Sequence, residues 1–425
     1  MTILFAASEI APLASTGGLG EVMASLPAAI ADRGHDVGVV LPGYPALLVG
    51  ASPLGIELSI PLGATIHKAS VLERIAPDGS QWFLIRCDEF FARSGIYSDG
   101  DKPFQDNASR YIFFSKAVVE LARRISPSPK ILHVHDWQTA LVPLLVKEQQ
   151  LPIKTVLTLH NVFYQGCFWA LDFPLTNLPQ HCFTPTCLEY YGKMNLLKGG
   201  ILSANALTTG SNSYRDNILF TENGFGLQDI LQTRKNDLSA ITNGVNPSIW
   251  SPSLGDIPAP FSQTDLSGKA FCRDSLLAEV RLKPNPSGPV FVMHGRLAGQ
   301  KGFDYLIPLL PRLFSTDSRL IISGDGDSAL RRDLIAASRQ HPHKMAFSSD
   351  WNLDFSKRLL AGADILLVPS HYESSGLAPL HGLPYGTVPV AHATGGLRER
   401  LTDYDPSSNS GFSLLYYKDC LLYTS

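Results

Sequence analysis

Three short stretches carry residue types that could handle a phosphorylated sugar. In His294-Gly295-Arg296-Leu297-Ala298-Gly299-Gln300-Lys301-Gly302, two cations five positions apart sit on a glycine-punctuated loop. Such a pair can hold a diphosphate, arginine by its planar fork and lysine as a point charge. In Ser370-His371-Tyr372-Glu373-Ser374-Ser375-Gly376-Leu377, the small residues would open backbone amides to phosphate, and Glu373 supplies a carboxylate that can accept from sugar hydroxyls. In Ser15-Thr16-Gly17-Gly18-Leu19-Gly20, a glycine-rich turn ahead of a helix lets N–H groups approach an anion. Each stretch also has an ordinary reading: a solvated loop, a helix cap, a routine strand-to-helix turn. Neither G-x-G-x-x-G nor G-x-x-x-x-G-K-[ST] is present, which argues against a dinucleotide oxidoreductase or a P-loop NTPase.

The elements that must position these loops alternate between β and α patterns. Apolar runs at Ile3–Ala7, His35–Leu41, Trp82–Arg86, Ile131–His135, Thr155–His160, Ala206–Gly210 and 240–242 predict strands, several apolar throughout as in sheets covered on both faces. Helical spacing predicts helices over Glu21–Arg33, Asn107–Ile125 and Gln138–Gln149. The Pro/Ser/Gly-rich segment 250–260, just after Val245-Asn246-Pro247, reads as a linker. Beyond it the alternation restarts with strands at Val290–His294, Arg319–Ser323, Lys344–Phe347, Asp364–Pro369 and Val388–Ala391, and helices at Asp304–Phe314 and Ala329–Arg339. This predicts two open α/β domains in series, 1–247 and 248–415. Thr16-Gly17-Gly18-Leu19 and Thr394-Gly395-Gly396-Leu397 share a pattern, and suggest that the strand ends of both domains face a common cleft.

Composition narrows the partners. The 425 residues are 44% hydrophobic and 17% charged, with a net charge of −3, the reverse of a disordered profile. No Lys/Arg run favours nucleic acid or an anionic membrane, and no apolar stretch is long enough to span a bilayer. The expected location is the cytoplasm. Six cysteines form no C-x-x-C; Cys182 and Cys187 read as idle thiols rather than as a partial metal site with His181. His133 and His135, alternate residues of a strand, are expected on opposite faces, which argues against joint metal ligation. Cys420-Leu421-Leu422-Tyr423-Thr424-Ser425 matches the translation of a transposase-adapter end, so 416–425 is expected to be a non-native tail.

Taken in order, Ser8-Glu9, Thr16-Gly17-Gly18-Leu19, His135-Asp136-Trp137, His160-Asn161, Asn243-Gly244-Val245, Arg296 with Gln300-Lys301-Gly302, Glu373 with Gly376-Leu377, and Tyr385-Gly386-Thr387 resemble the bacterial glycogen synthase and plant starch synthase family. The resemblance runs from about residue 1 to 415. It implies the GT-B fold, two Rossmann-like doubly wound domains facing a central cleft. It also implies transfer of glucose from ADP-glucose to the non-reducing end of an α-1,4-glucan with retention, and no cofactor or catalytic metal. By that resemblance Arg296, Lys301 and the amides near Ser375, Gly376 and Leu377 neutralise the departing diphosphate. Ser15, Gly17, Gly18 and Asn243 contact the donor, and Glu373 contacts the sugar hydroxyls. His160 and Asp136 lie at the reacting glucose, and Tyr97 faces the acceptor.

The chain departs from the family pattern at several places. Ser15 replaces a lysine, Glu21 an aspartate, Ser374-Ser375 a Pro-Cys and Ala378-Pro379 a Thr-Gln; His381 stands where an aromatic or a carboxylate is usual. Losing the lysine removes a charge-assisted bond to phosphate, about 1.5–3 kcal/mol. These changes keep two alternatives in view: a GT-B transferase with another donor or acceptor, and a glucan-binding relative without turnover. The family continues past Gly411-Phe412 into further helices, so a longer natural chain is expected, with looser domain pairing and lower activity where they are missing. The sequence carries no sign of an oligomeric state.

Overall fold

The computed structural model describes residues 2–76, 78–284, 286–405, 407 and 414–416. Contacts divide the chain into two units, Met1–Thr242 and Asn243–Ser425, so Asn243-Gly244-Val245 opens the second unit.

The main sheet of the first unit has strands β1 (Ile3–Ala6), β2 (Val37–Pro42), β3 (Ser52–Leu62), β4 (Thr65–Ile75), β5 (Gln81–Arg86), β6 (Ile131–His135), β7 (Lys154–Leu159), β8 (Ala206–Thr209) and β9 (Leu238–Ala240). Their order is β9-β8-β7-β6-β1-β2-β5-β4-β3. The chain winds outward from β1 in one direction, then returns to its other side: Ile3 aligns with Val37 on β2 and with Ile131 on β6. A parallel sheet of this kind is covered on both faces, and Leu4, Phe5, Ala6, Val39, Val40, Leu132, Val134, Leu157 and Leu159 are accordingly solvent-free. The helix Asn107–Arg124 buries Tyr111, Ile112, Phe114, Val118 and Leu121, and ends on Arg123 and Arg124, the sign its dipole favours. The antiparallel hairpin β3–β4 has no counterpart in the predicted strands. Its alternation is present in the sequence, with Leu58, Ile60 and Leu62 inward and the residues between them outward.

The second unit has β10 (Val290–His294), β11 (Arg319–Ser323), β12 (Met345–Ser348), β13 (Ile365–Val368), β14 (Val388–His392) and β15 (Leu414–Tyr416), in the order β12-β11-β10-β13-β14-β15. Numbered from its own start this is 3-2-1-4-5-6, the doubly wound order of dinucleotide-binding domains, here fully parallel among the described strands. The order reverses between β10 and β13, and in open α/β sheets the crevice at that reversal is where ligands bind.

Three predicted helices are broken by proline. Glu21–Arg33 becomes Gly18–Met23 and Leu26–Ala31, with Pro27 in the first turn of the second piece. Asp304–Phe314 becomes three short turns around Pro308 and Pro311. Gln138–Gln149 is replaced by Asp136–Thr139 and Leu141–Glu148 with Pro143 in the first turn. Proline lacks the N–H that would continue a helix and is accommodated in a first turn.

The linker expectation at 250–260 is corrected. Trp250, Ile257 and Phe261 are buried in the core of the second unit with Leu276, Leu359 and Tyr385. Trp250 stacks on His381 at 4.0 Å between ring centroids and 7° between planes. Trp250→Ala should therefore destabilise the second unit by about 3–5 kcal/mol, the usual cost of emptying an aromatic core site. A flexible linker would lose almost nothing in the same urea titration followed by circular dichroism. The tail expected at 416–425 lies outside the described residues except for Tyr416, the end of β15.

Candidate active site

In the first unit the reversal falls between β1 and β6, and the loops leaving both strands carry the expected residues. Glu9, just after β1, is 4% exposed and holds the glycine-rich loop in shape. Its carboxylate accepts from the Thr16 N–H at 2.6 Å and from the Thr16 hydroxyl at 2.9 Å. The Tyr97 hydroxyl donates to the same carboxylate at 2.6 Å and accepts from Gln138 Nε2 at 2.8 Å. The phenol expected to face the acceptor is thus bonded inside the protein, with its ring 6.3 Å from that of Trp137. The solvent-free Arg110 fixes this segment by donating to the carbonyls of Phe90 and Ile96 and to Asn107 Oδ1, while Asn107 Nδ2 donates to the Tyr97 carbonyl.

The loop itself is half open. Ser15 Oγ donates to the Gly17 carbonyl at 3.1 Å and lies against Gly20, where any Cβ would collide with it. Around Gly17 a Cβ would meet nothing within 4 Å, and Gly18 is exposed. The glycine at 17 is not demanded by packing, and its N–H donates to Ser15 Oγ at a long 3.4 Å, a bond that an approaching anion can replace. Gly17→Ala should change stability by less than about 0.5 kcal/mol in thermal unfolding, yet raise the donor KM severalfold if an anion approaches that amide. An unchanged KM would remove Gly17 from the donor site.

Asp136 follows β6 directly and has a left-handed backbone, φ 54°. A non-glycine residue there carries strain, a feature found often at functional sites. Its Oδ1 accepts from the backbone N–H of His160 at 2.7 Å and of Asn161 at 3.3 Å, joining the ends of β6 and β7. Burial pushes the carboxyl up to about 7, against the lowering effect of those two donors.

The rings of His133 and His135 correct an expectation. Residues i and i+2 of a strand share a face, and these imidazoles stack at 4.5 Å between centroids and 21°. His135 Nδ1 is 2.9 Å from His160 Nε2, while His133 Nε2 pairs with Thr158 Oγ1 at 2.7 Å. Burial lowers His160 to about 4 and His133 to about 3, the latter also through His160; His135 is held well below the ordinary range by burial and by both neighbours. All three are neutral at pH 7. Among the described residues the buried His135 Nε2 meets no partner, and an unmet acceptor costs less than an unmet N–H. That places the His135 proton on Nδ1, donated to His160 Nε2, so neutral His160 carries its own proton on Nδ1.

In the second unit the structure brings together residues from both loops of the β10/β13 reversal. Lys301 Nζ forms an ion pair with Glu373 Oε1, which also accepts from Ser370 Oγ at 2.9 Å. Gln300 Nε2 donates to the Tyr372 carbonyl at 3.0 Å. Close approach depends on glycine: at Gly302, φ 77°, a Cβ would fall on the Pro369 carbonyl. Asn243 Nδ2 donates to Ser375 Oγ at 2.5 Å, and Arg400 donates to the Asn243 carbonyl. Arg296 is half-buried on the loop after β10, which is pinned to the loop after β11 by Leu297 N–H to the Asp325 carbonyl at 2.8 Å. Ser375, Gly376 and Leu377 open the six-residue helix Leu377–Gly382.

The second glycine motif has a different task from the first. Gly395 and Gly396 lie under the Glu373–Ser375 segment, and Gly396 N–H donates to the Glu373 carbonyl at 2.9 Å. A Cβ on either would strike that segment's backbone. Sequence reasoning named neither as part of the site, although their likeness to Gly17-Gly18 was the available signal. His381 is 3% exposed beneath Trp250 and belongs to the core.

Two doubly wound α/β units, each with polar side chains gathered on the loops at its sheet reversal, define the chain as a GT-B glycosyltransferase. Residues 2–233 match the family described as starch synthase catalytic domain, and residues 278–414 that of glycosyl transferases group 1. The chain is 37% identical to a glycogen synthase of Opitutus terrae, covering 98% of this chain and 89% of that one. It is 36% identical to glycogen synthase 2 of Geobacter sulfurreducens, covering 97% and 88%. The chain belongs to the glycogen synthase and starch synthase family. Among solved structures, the catalytic domain of Arabidopsis thaliana starch synthase IV bound to ADP and acarbose superposes with a TM-score of 0.91 at 26% identity, covering 99% of this chain and 90% of that one. A sucrose-phosphate synthase from Thermosynechococcus elongatus shares the fold, with a TM-score of 0.63 at 15% identity.

Proposed function

We propose that the protein transfers glucose from ADP-glucose to the non-reducing 4-hydroxyl of an α-1,4-glucan with retention at the anomeric carbon. The observation that carries this is the Lys301–Glu373–Ser370 cluster at the β10/β13 reversal. It places a cation suited to diphosphate beside a carboxylate suited to sugar hydroxyls. In the reaction the bond from C1 to the diphosphate oxygen breaks and its electron pair leaves with ADP. The acceptor oxygen bonds to C1, and its proton passes to the departing phosphate. Arg296 and Lys301 stabilise the charge that builds on the diphosphate, as preorganised cations do at developing anions. Ser375, Gly376 and Leu377 offer amides to the phosphates, with Asn243 holding the Ser375 hydroxyl. His160 donates from Nδ1 to a glucose hydroxyl, and Asp136 holds the His160 backbone and opposes the positive charge forming on the sugar. Tyr97 acts on the acceptor side through the Glu9 network. The location proposed for the reaction is the cytoplasm. Among the described residues no helix is long and apolar enough to cross a membrane.

The test is incorporation of labelled glucose into glycogen from ADP-glucose and from UDP-glucose. Incorporation from ADP-glucose in preference to UDP-glucose is expected; transfer from neither, with glycogen binding intact, would leave only the non-catalytic reading. Ser15→Lys supplies the missing cation on the first glycine-rich loop. It should lower the ADP-glucose KM by about tenfold or more, the worth of one charge-assisted bond. No change in KM would mean that this loop does not reach the donor phosphates.

A further inference from the structure

A separate cluster on the first unit takes no part in this chemistry. Glu148 ends the helix Leu141–Glu148, His181 and Cys182 lie in the turn Gln180–Cys182, and Cys187 follows in the same loop. His181 Nε2 is 2.9 Å from Glu148 Oε2, and one ligand atom each from Glu148, His181 and Cys182 lies within 4.8 Å of the others. Cys182 is 1% exposed, and its thiol faces both the Glu148 carboxylate and the Cys187 thiol. The loop is held by its own backbone: Cys182 N–H donates to the Pro179 carbonyl, Cys187 N–H to that of Thr184, and Leu188 N–H to that of Cys182, all within 2.9–3.0 Å.

We infer that Glu148, His181, Cys182 and Cys187 form a zinc site that fastens this loop to the end of the helix. Two sulfurs, one imidazole and one carboxylate are a four-coordinate donor set for zinc, and the two cysteines have the C-x4-C spacing found in structural sites. Zinc–sulfur bonds near 2.3 Å and zinc–nitrogen or –oxygen bonds near 2.0 Å put tetrahedral ligand atoms roughly 3.3–3.8 Å apart. Atoms of Glu148, His181 and Cys182 lie within 4.8 Å of one another, so an ion would part His181 from Glu148 slightly, draw Cys182 in, and take Cys187, the neighbour of the Cys182 thiol, as its fourth ligand. Binding releases both thiol protons, since thiolate is the ligand form, and leaves the site with a single net negative charge beside Lys147. His181, whose side chain is 68% exposed, leaves the ion a way in from solvent.

Cobalt(II), a spectroscopic substitute for zinc, tests this on the full chain after reduction and removal of chelator. One equivalent should bind with a sulfur-to-cobalt charge-transfer band and the intense visible bands of a tetrahedral centre. Zinc should displace it, release two protons on binding to the metal-free chain, and raise the thermal unfolding temperature. Cys182→Ser, Cys187→Ser and His181→Ala should each lose the tetrahedral spectrum. Cys167→Ser, at an exposed cysteine outside the cluster, should keep it. Circular dichroism identifies any variant that fails to fold, and thiol protection of the native chain by zinc, reversed by chelator, needs no variant at all. Cobalt binding no stronger than in the Cys182→Ser variant would overturn the site. A Cys182–Cys187 disulfide in the natively purified chain, found by mass spectrometry, would overturn it in favour of a redox pair.

Discussion

Lys301→Ala should lower kcat by about 10²–10³-fold, the range seen when one preorganised charge-stabilising group is taken from a transition state. The side chain is 27% exposed and the Glu373 side chain 14%, so neither charge is well screened by water. Lys301 compensates Glu373 in their ion pair. A donor diphosphate would compete for the ammonium, leaving Ser370 Oγ and the sugar hydroxyls to satisfy the carboxylate. The two residues are therefore coupled, and their substitutions should not add. Glu373→Gln alone should also reduce kcat strongly, while the double variant should be less impaired than the product of the single effects. Arg296→Ala should lower kcat in the same direction by its own contribution to the leaving group. The check is single-turnover glucose transfer, alongside urea unfolding to exclude a folding defect. A normal kcat in Lys301→Ala would end the diphosphate assignment.

Asp136→Asn should remove an acidic limb from the pH profile and lower the plateau by at least about 10²-fold, in keeping with loss of a group acting on transition-state charge. With its carboxyl pushed up to about 7 by burial, Asp136 titrates across the physiological range, so the wild type should lose kcat/KM as pH falls below 7. Asparagine suits the left-handed backbone and keeps an oxygen for the His160 and Asn161 N–H groups, so this substitution isolates the charge. Stability should move the other way. A carboxyl whose folded pKa lies above its unfolded value of 3.8 contributes stability below that value, and the contribution is lost as pH rises through 7. At pH 8 the variant should therefore be more stable than wild type, by roughly 1–3 kcal/mol. His160, His133 and His135 have the opposite sign: their folded values lie below 6.5, so the stability they contribute above 6.5 falls away on acidification toward pH 4. Equal stability of Asp136→Asn and wild type at pH 8, with an unchanged acidic limb, would place the titrating group elsewhere.

Much of the architecture was legible because β-type runs between helical patterns encode a parallel sheet directly. Ile131–His135, Val290–His294 and Arg319–Ser323 begin and end where their apolar runs do. Lys301 and Glu373 were legible as residues, because a cation and a carboxylate after apolar strands fall at the edge where such sheets bind ligands, and Asp136 was legible through the family resemblance. Their partnerships were not. That Lys301 meets Glu373, or that Asp136 caps the His160 backbone, depends on which strands become neighbours, and the chain forms two further strands, β11 and β12, before β13 returns beside β10. Composition misread 250–260 because proline, serine and glycine describe the backbone of that stretch, whereas Trp250, Ile257 and Phe261 decide where it goes. Glu148 was invisible beside Cys182 for the same reason: the helix carrying it meets the cysteine loop only in the folded unit.

The seat that Gly395 and Gly396 provide for the Glu373–Ser375 segment bears on how such enzymes can be recombined. Donor preference could be sought by grafting residues 370–377 from a relative, but the graft would rest on a floor shaped for another loop. The two segments form one heritable module despite the strand and helix that separate them in the chain. Chimeras with a crossover between them should yield folded but poorly active protein more often than chimeras that exchange 370–397 whole.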